Sequence, residues 1–227
     1  MQTIHANYQR QNAPEKTVKT AVKAEIVSLQ SSDFEIASEH LSSAFSQDPL
    51  IGYFLPEDPA AKRRAIKHLS RSFLNFAQSY GHIYTTADEP KGVAIWVPPE
   101  AFKITLSQLW QVVTSGLIAG PFYMRWPRIM DFISLVNAEM QLHDKFAPEP
   151  HWYLGMLGVS PECQGQGIGG MLLQPVLERA ERTKMPCYLE TTTPSAVRFY
   201  ERHGFEVVHQ EVFADHQYWT MKRYPKG

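Results

Sequence analysis

Cysteine is scarce in this sequence, and that narrows the classes of protein to which it can belong. The 227 residues contain two cysteines, Cys163 and Cys187, which excludes a disulfide-rich secreted scaffold. The nine histidines include no pair in H-x-x-x-H spacing, so the sequence indicates no zinc site. We therefore expect a reduced, cytoplasmic protein that holds no metal.

Charge of one sign and long apolar runs are also lacking. The formal net charge is -1, which gives no sign of the basic surface typical of nucleic-acid binding. The longest nearly apolar stretch, residues 112–124, is interrupted by Gly116, Gly120 and Pro121 and is too short to span a bilayer. Residues 1–23 have no apolar segment of the kind found in signal peptides. We expect neither nucleic acid nor membrane as a partner.

Hydrophobic residues are plentiful, at 44% of the chain, which is ample for a real core. The N-terminal residues, 1–23, are predicted to form a flexible arm, because they are polar and show no periodicity. Residues 24–227 are predicted to form a single domain. Within it, residues of about 101–148 are predicted to be a helical insertion and residues 150–206 the ligand-binding core.

The periodicity of the apolar residues predicts alternating helices and strands. Strands are predicted at 25–29, 82–87, 92–97, 152–159, 186–191, 206–212 and 217–223. Six helices are predicted. The first is capped by Asp33 and ends at Asp48-Pro49, and the last begins at Thr193-Pro194. The other four run from about Ile66 to Tyr80, from Leu106 to Leu117, from Ile129 to His143, and from the glycine loop to about Lys184.

The most informative stretch joins the predicted strand Trp152 to Val159 to a glycine-rich loop and then to a helix beginning near Met171. The first N–H groups of a helix have no partner within the helix, and the helix dipole is positive at that end. Glycines allow the backbone to approach a phosphate closely. This stretch is therefore predicted to bind a phosphate-containing ligand.

Two of the three known loops of this kind fit the sequence poorly. A Walker loop requires Lys-Ser or Lys-Thr after its last glycine, and no lysine follows here. The dinucleotide fingerprint G-x-G-x-x-G is present as Gly165, Gly167 and Gly170, with Glu190 as a possible ribose ligand. That fingerprint follows its strand directly, whereas five residues separate Val159 from the first glycine here. A dinucleotide-dependent oxidoreductase is thus disfavoured.

The third pattern is Gln/Arg-x-x-Gly-x-Gly/Ala, which Gln164, Gly167 and Gly169 satisfy. A second pattern, A-x-x-x-Y-x-x-x-G-F, begins at Ala196 and includes Tyr200. The two patterns at this separation resemble the GCN5-related N-acetyltransferase (GNAT) family. Over about residues 150–206 the sequence looks most like the antibiotic-modifying branch typified by puromycin N-acetyltransferase. The likeness is weak over residues 101–148, where the acceptor of such an enzyme would bind.

The resemblance implies a fold, a co-substrate and a set of binding residues. The implied fold is α/β (α+β), with a mixed, mostly antiparallel central sheet of about six to seven strands flanked by helices, and with extra helices inserted in the middle of the chain. The implied co-substrate is acetyl-CoA. The residues implied to bind it are Leu157, Gly158, Val159, Gln164, Gly165, Gln166, Gly167, Ile168, Gly169, Gly170 and Thr193. Thr193 stands where many family members have asparagine, which puts the usual amide contact in doubt.

Acetyl transfer from a thioester to an amine needs a base, oxyanion stabilisation and an acid. A backbone N–H on the Leu157–Val159 strand is the candidate oxyanion donor, and Gly158 should ease an irregularity there. Tyr200 is the candidate acid that protonates the leaving thiolate; the alternative is a core tyrosine. Glu190 is the candidate base; the alternative is an ion pair with Arg198 or Arg202. Trp96, Trp152 and Tyr153 are candidates for the acceptor pocket, although a core position is favoured for each.

The function implied is transfer of an acetyl group to a primary amine of a small molecule, with an antibiotic or a related metabolite as a candidate. Two alternatives stay open: a non-catalytic sensor that binds acetyl-CoA, and a protein or peptide N-acetyltransferase.

Overall fold

The computed structural model describes residues 24–102 and 114–226. The predicted flexible arm, residues 1–23, lies outside the described residues. Residues 106–113 of the helix predicted from Leu106 to Leu117 also lie outside the described residues. The last residue of that predicted helix, Leu117, begins a 3₁₀ segment, Leu117–Tyr123.

The described residues include six complete α-helices and seven β-strands, together with short 3₁₀ segments. The helices are α1 (Phe34–Phe45), α2 (Pro49–Phe54), α3 (Pro59–Ala77), α4 (Ile129–Phe146), α5 (Ile168–Thr183) and α6 (Pro194–Glu201). The strands are β1 (Ile26–Ser28), β2 (Ile83–Thr86), β3 (Gly92–Val97), β4 (Trp152–Val159), β5 (Cys187–Thr191), β6 (Glu206–Phe213) and β7 (His216–Arg223).

All seven strands belong to one sheet, in the order β1-β2-β3-β4-β5-β7-β6. Every neighbouring pair is antiparallel except β4 and β5, which are parallel. The predicted fold class, a mixed and mostly antiparallel sheet flanked by helices, is therefore confirmed. The parallel pair is short, because Trp152 pairs with Cys187 and Tyr153 with Tyr188, and the register goes no further. The later residues of both strands thus border an opening in the sheet.

Helices cover both faces of the sheet. Helix α5 packs on one face, where Leu172, Leu173 and Val176 join the core around Trp96. Helices α1 and α3 pack on the other face, in a second core that includes Leu41. A third cluster joins α2 and α4 to β7 through Leu50, Phe54, Leu135, Leu142 and Tyr218. These packing contacts place α2 and α4 beside the open end of the β4–β5 pair.

The irregularity in β4 lies at a different glycine from the one expected. The register between β3 and β4 shifts so that Gly155 is the extra residue, while Gly158 pairs regularly with Val93. A Cβ on Gly158 would lie 2.7 Å from Cδ2 of Leu41. The expectation that Gly158 marks a bulge is therefore wrong: this glycine is needed because α1 crosses β4 too closely for a side chain.

Two helix ends also differ from expectation. Asp33 precedes α1 as predicted, but its side chain makes no capping hydrogen bond. Asp48 and Pro49, predicted to end that helix, do follow its last residue, Phe45, but they also begin α2, where the Asp48 carboxylate accepts a hydrogen bond from the N–H of Ile51. An acidic cap followed by proline at the first helical position is a helix start, as Thr193-Pro194 is at α6.

Candidate active site

The glycine loop joins the end of β4 to the first turn of α5. Gly165 and Gly167 have φ angles of 77° and 85°, in the left-handed region that favours glycine. Gly167 is also the N-cap of α5, and a Cβ placed on it would meet no atom within 4 Å. The backbone at the helix N-terminus is therefore open to a ligand, as an anion site requires.

The next two glycines serve helix packing. A Cβ on Gly169 would lie 3.2 Å from Cζ of Phe199, and one on Gly170 would lie 2.6 Å from Nε2 of His203. Both partners belong to α6 or to the turn after it. The absence of side chains at these positions lets α6 approach the first turn of α5, and so brings Tyr200 close to the glycine loop.

The remaining predicted loop residues hold the local backbone in place. Gln164 Nε2 donates a hydrogen bond of 3.0 Å to the carbonyl of Val159, and Gln166 Nε2 donates one of 3.2 Å to the carbonyl of Glu162. Thr193 caps α6 by accepting a 3.3 Å hydrogen bond from the N–H of Ala196. These bonds give each side chain a structural role, whatever ligand the loop holds.

Two cavities meet beside the open ends of β4 and β5. The first, here called the loop cavity, has a volume of about 540 Å³. The second, here called the carboxylate cavity, has a volume of about 580 Å³ and contains Glu190. The residues that line both are Leu157, Gln164, Ser195, Ala196 and Tyr200.

Most of the predicted ligand-binding residues line the loop cavity. These are Leu157, Val159, Gln164, Gly165, Gly167, Ile168, Gly169 and Gly170. Thr193 lines the carboxylate cavity instead, while Gly158 and Gln166 line neither. The loop cavity is therefore formed mainly by the glycine loop and the start of α5. These are the two elements that the sequence predicted to bind a phosphate-containing ligand.

The Acetyltransferase (GNAT) family model matches residues 119–205. This segment contains β4, the glycine loop, α5, β5 and α6. It also includes every residue that lines both cavities. The chain is an acetyltransferase of the GNAT kind. The GNAT family uses acetyl-CoA as co-substrate.

Other proteins resemble this acetyltransferase over most of its length. An uncharacterised N-acetyltransferase of Schizosaccharomyces pombe is 22% identical over 190 residues, which are 82% of this chain and 75% of the relative. The structure of the histone acetyltransferase HPA2 and related acetyltransferase from Corynebacterium glutamicum matches with a TM-score of 0.59 and 23% identity, over 91% of this chain and 98% of that one. A Drosophila melanogaster polyamine N-acetyltransferase that forms N-acetylagmatine matches with a TM-score of 0.57 and 16% identity, over 89% and 100%.

Tyr200 stands where the acetyltransferase's two cavities meet. It is 8% exposed, and its ring packs against Phe199 and Phe205 at centroid distances of 5.1 and 5.7 Å. Within the described residues, its hydroxyl has no hydrogen-bond partner, although the side chain lines both cavities. Burial raises the pKa of Tyr200, because a charged phenolate is poorly solvated there. The side chain is thus a protonated donor that faces the cavities.

Glu190 lies near the end of β5 and faces the carboxylate cavity. It forms no ion pair with Arg198 or Arg202, nor with another lysine or arginine of the ranges 24–102 and 114–226. Burial raises the pKa of its carboxyl to about 8, with a further rise from the negative charge of Glu139. The hydroxyls of Tyr153 and Tyr188 lower the same pKa by a smaller amount. The carboxyl can therefore exchange its proton near neutral pH.

Three further ionisable side chains line the carboxylate cavity and were missed from sequence. They are Asp48 from α2, Glu139 from α4 and Tyr218 from β7. The Tyr218 hydroxyl donates a hydrogen bond of 3.2 Å to Oε1 of Glu139. Asp48 had a usable signal, its position before a proline, whereas Glu139 and Tyr218 show none, because their meeting depends on how α4 packs beside β7.

Of the three aromatic candidates for the acceptor pocket, only Tyr153 lines the carboxylate cavity. Trp96 and Trp152 are 0% and 4% exposed and belong to the core beneath α5. Trp96 and Trp152 are therefore core residues, as the sequence favoured, and they do not belong to the acceptor pocket.

Two further findings concern metals and membranes. In the parts of the chain that the structure describes, no group of three or more His, Cys, Asp or Glu side chains could hold a metal ion. No helix among those residues is both long and apolar enough to cross a bilayer.

Proposed function

We propose that this acetyltransferase transfers the acetyl group of acetyl-CoA to a primary amine of a small molecule. The observation that carries the proposal is the position of Tyr200 between the loop cavity and the carboxylate cavity. The first cavity suits the donor and the second suits the acceptor, so the reacting atoms would meet beside the tyrosine hydroxyl.

The loop cavity fits acetyl-CoA on structural grounds. The N-terminus of the long helix α5 offers unpaired N–H groups to a phosphate, and the space beside Gly167 is open. We assign Gln164, Gly165, Gly167, Ile168, Gly169 and Gly170 to the diphosphate and Leu157 and Val159 to the pantetheine arm. Gly158, Gln166 and Thr193 were also expected to bind this ligand, but they do not line the loop cavity. When bound, acetyl-CoA supplies the acetyl group as a thioester, whose C–S bond is exchanged for a C–N bond to the acceptor.

The strand β4 is suited to stabilise the carbonyl oxygen. Its residues Leu157 to Val159 pair with β3 along one edge, while along the other edge the pairing with β5 ends at Tyr153. Backbone N–H groups on that free edge can donate to developing negative charge. We assign this role to the Leu157–Val159 backbone.

Glu190 is proposed as the base. A carboxylate with a pKa of about 8 binds a proton more strongly than an ordinary glutamate. It can therefore remove a proton from the acceptor ammonium, directly or through water, and leave a neutral amine. The absence of an ion pair with Arg198 or Arg202 leaves the carboxylate available for this role.

Tyr200 is proposed as the acid. Its raised pKa keeps the phenol protonated before reaction, and its side chain lines both cavities. It can donate its proton to the sulfur as the thiolate leaves. The same burial also raises the proton affinity of the thiolate, which favours the transfer.

A small amine suits the carboxylate cavity better than a protein substrate. The cavity of about 580 Å³ is of the size that small-molecule sites have, and carboxylates line it. The likeness to puromycin N-acetyltransferase over about residues 150–206 supports an antibiotic or related metabolite among the candidate acceptors. Both cysteines are free thiols, which agrees with a cytoplasmic enzyme.

The deciding experiment is acetylation of a panel of amines, followed by the free thiol that is released. Turnover of one or more small primary amines is expected. Coenzyme A binding without turnover of any amine would favour the sensor, and acetylation of proteins in a lysate without turnover of small amines would favour a protein or peptide N-acetyltransferase. Titration with NADH should show no binding; binding of NADH in preference to acetyl-CoA would overturn the assignment of the loop.

A further inference from the structure

The carboxylate cavity has an imbalance of charge. Among the described residues that line it, three side chains are acidic, Asp48, Glu139 and Glu190, and none is lysine, arginine or histidine. Asp48 is already occupied, because Oδ1 accepts from the N–H of Ile51 at 2.9 Å and Oδ2 from the Thr192 hydroxyl at 2.6 Å. Glu139 and Glu190 are the other two carboxyl groups of the cavity, and neither forms an ion pair with a lysine, arginine or histidine among the described residues.

The two carboxyl groups act on each other. Each is partly buried, and the charge of Glu139 is felt at Glu190. Within the described ranges, Glu139 accepts one hydrogen bond, from the Tyr218 hydroxyl to Oε1, and no donor occupies Oε2. Buried carboxylates are costly unless a cation or several hydrogen-bond donors face them. A ligand that brings positive charge next to both would remove that cost.

A second observation indicates that a ligand occupies this space. Tyr200 is 8% exposed, its side chain lines the cavity, and no group of the described residues bonds to its hydroxyl. The cavity also carries the rings of Tyr153, Tyr218 and Phe45. Aromatic rings attract alkylammonium and guanidinium groups. The walls thus suit a flexible, cationic chain better than a neutral one.

We propose that the acceptor carries two cationic nitrogens, one that is acetylated beside Glu190 and Tyr200, and a second that is held by Glu139. The proposal rests on the assignment of the carboxylate cavity to the acceptor in the proposed function. The chemical class is an α,ω-diamine or an aminoalkyl guanidine. Glu139 is the specificity-determining residue, since it selects for the second charge and takes no part in proton transfer.

The test compares acceptors that differ in the second nitrogen alone. Values of kcat/KM are measured for 1,4-diaminobutane, 4-amino-1-butanol and n-butylamine, and the series is repeated with diamines of three to six carbons. We expect the best diamine to exceed its matched monoamine and amino alcohol by at least about tenfold, or about 1.4 kcal/mol. In Glu139→Gln, which keeps the shape and removes the charge, the ratio should fall to about twofold or less.

A matched control lies on the same helix. Asp144 is exposed on α4 and outside the cavity, so Asp144→Asn removes one negative charge and should keep the wild-type preference for the diamine. A wild-type enzyme that acetylates monoamines and diamines equally well would overturn the inference and leave the proposed function standing. Full retention of the preference in Glu139→Gln would also overturn it. Acetylation of no amine at all would overturn the proposed function, and the inference with it. The wild-type comparison decides even if Glu139→Gln does not fold.

Discussion

The Thr192 hydroxyl donates a 2.6 Å hydrogen bond to Oδ2 of Asp48, although 144 positions separate the two residues in sequence. Oδ1 of the same carboxylate caps α2 by accepting from the N–H of Ile51. One aspartate therefore fixes the start of α2 to the residue just after β5. Because Glu190 lies two positions before Thr192, this contact sets the distance between the α2 wall of the carboxylate cavity and the proposed base.

Two variants separate the roles of this contact. Asp48→Ala removes both bonds, and we expect it to destabilise the fold by about 1–2 kcal/mol, as the loss of a cap does, and to raise the KM for the amine. Thr192→Val keeps the cap, so its stability should change little while the KM for the amine still rises. Denaturant unfolding and steady-state kinetics measure the two effects. An unchanged KM in Thr192→Val would show that the contact does not position the acceptor wall.

Tyr200→Phe removes one hydroxyl and keeps the ring that packs against Phe199 and Phe205. If the hydroxyl protonates the leaving sulfur, kcat should fall by roughly 10²–10⁴, the range of general acid catalysis. The affinity for coenzyme A, measured by calorimetry, should hardly change. A variant with the wild-type rate would mean that solvent protonates the thiolate.

Glu190 should impose a rising limb on the pH–rate profile. Its carboxyl, with a pKa of about 8, works as a base only when deprotonated, so kcat/KM should rise up to about pH 8. The titratable groups that face it are Glu139 from α4, Tyr153 from β4, Tyr188 from β5 and Tyr218 from β7, and the limb reports them together with Glu190. Removing the neighbouring charge in Glu139→Gln should move the limb to lower pH.

Glu190→Gln should lower the rate most strongly below that pH. Its deficit should shrink above about pH 8, because more of the amine then arrives deprotonated. Tyr200→Phe should show no such recovery, since its missing step follows the attack. A Glu190→Gln enzyme with the wild-type rate at neutral pH would exclude Glu190 as the base.

The same carboxyl should make the fold less stable at alkaline pH. The folded protein holds this proton up to about pH 8, whereas the ordinary value is 4.5, so unfolding releases a proton between these two values. The free energy of unfolding should therefore fall as pH rises from about 4.5 to 8. Glu190→Gln should be more stable than wild type at pH 9, by on the order of 1–3 kcal/mol, and the difference should nearly vanish at pH 4. Urea unfolding at both pH values checks the sign, and equal curves at pH 9 would contradict it.

The glycine loop allows a matched pair of backbone variants. Gly167 and Gly81 both have a left-handed φ, 85° and 69°, and a Cβ on either meets no atom within 4 Å. Alanine at either position should cost a similar backbone strain of about 1–2 kcal/mol. Only Gly167→Ala should weaken coenzyme A binding, by at least about tenfold or 1.4 kcal/mol, because Gly81 lines neither cavity. Calorimetry with coenzyme A tests this, and equal affinity in the two folded variants would remove the loop from the binding site.

The parts of the fold that the sequence predicted are those with a local cause. The strand from Trp152 to Val159, the glycine loop and the start of α6 at Thr193-Pro194 each follow from neighbouring residues, and the structure has them in place. The bulge could not be placed, because Gly155 and Gly158 differ only in what packs against them. Glu139 could not be found either, since it reaches the cavity through the packing of α4 beside α2 and β7. Whether Tyr200 and Glu190 act as proposed stays a prediction.

The meeting of the two cavities at Leu157, Gln164, Ser195, Ala196 and Tyr200 has a consequence for inhibition. A conjugate that links the sulfur of coenzyme A to an alkyl diamine through a short acetyl bridge would place one end in each cavity with the bridge beside Tyr200. Its second half binds at the high effective concentration that the linker sets. If the acceptor is the proposed diamine, such a bisubstrate compound should inhibit this enzyme, and Glu139→Gln should weaken its binding at the amine end.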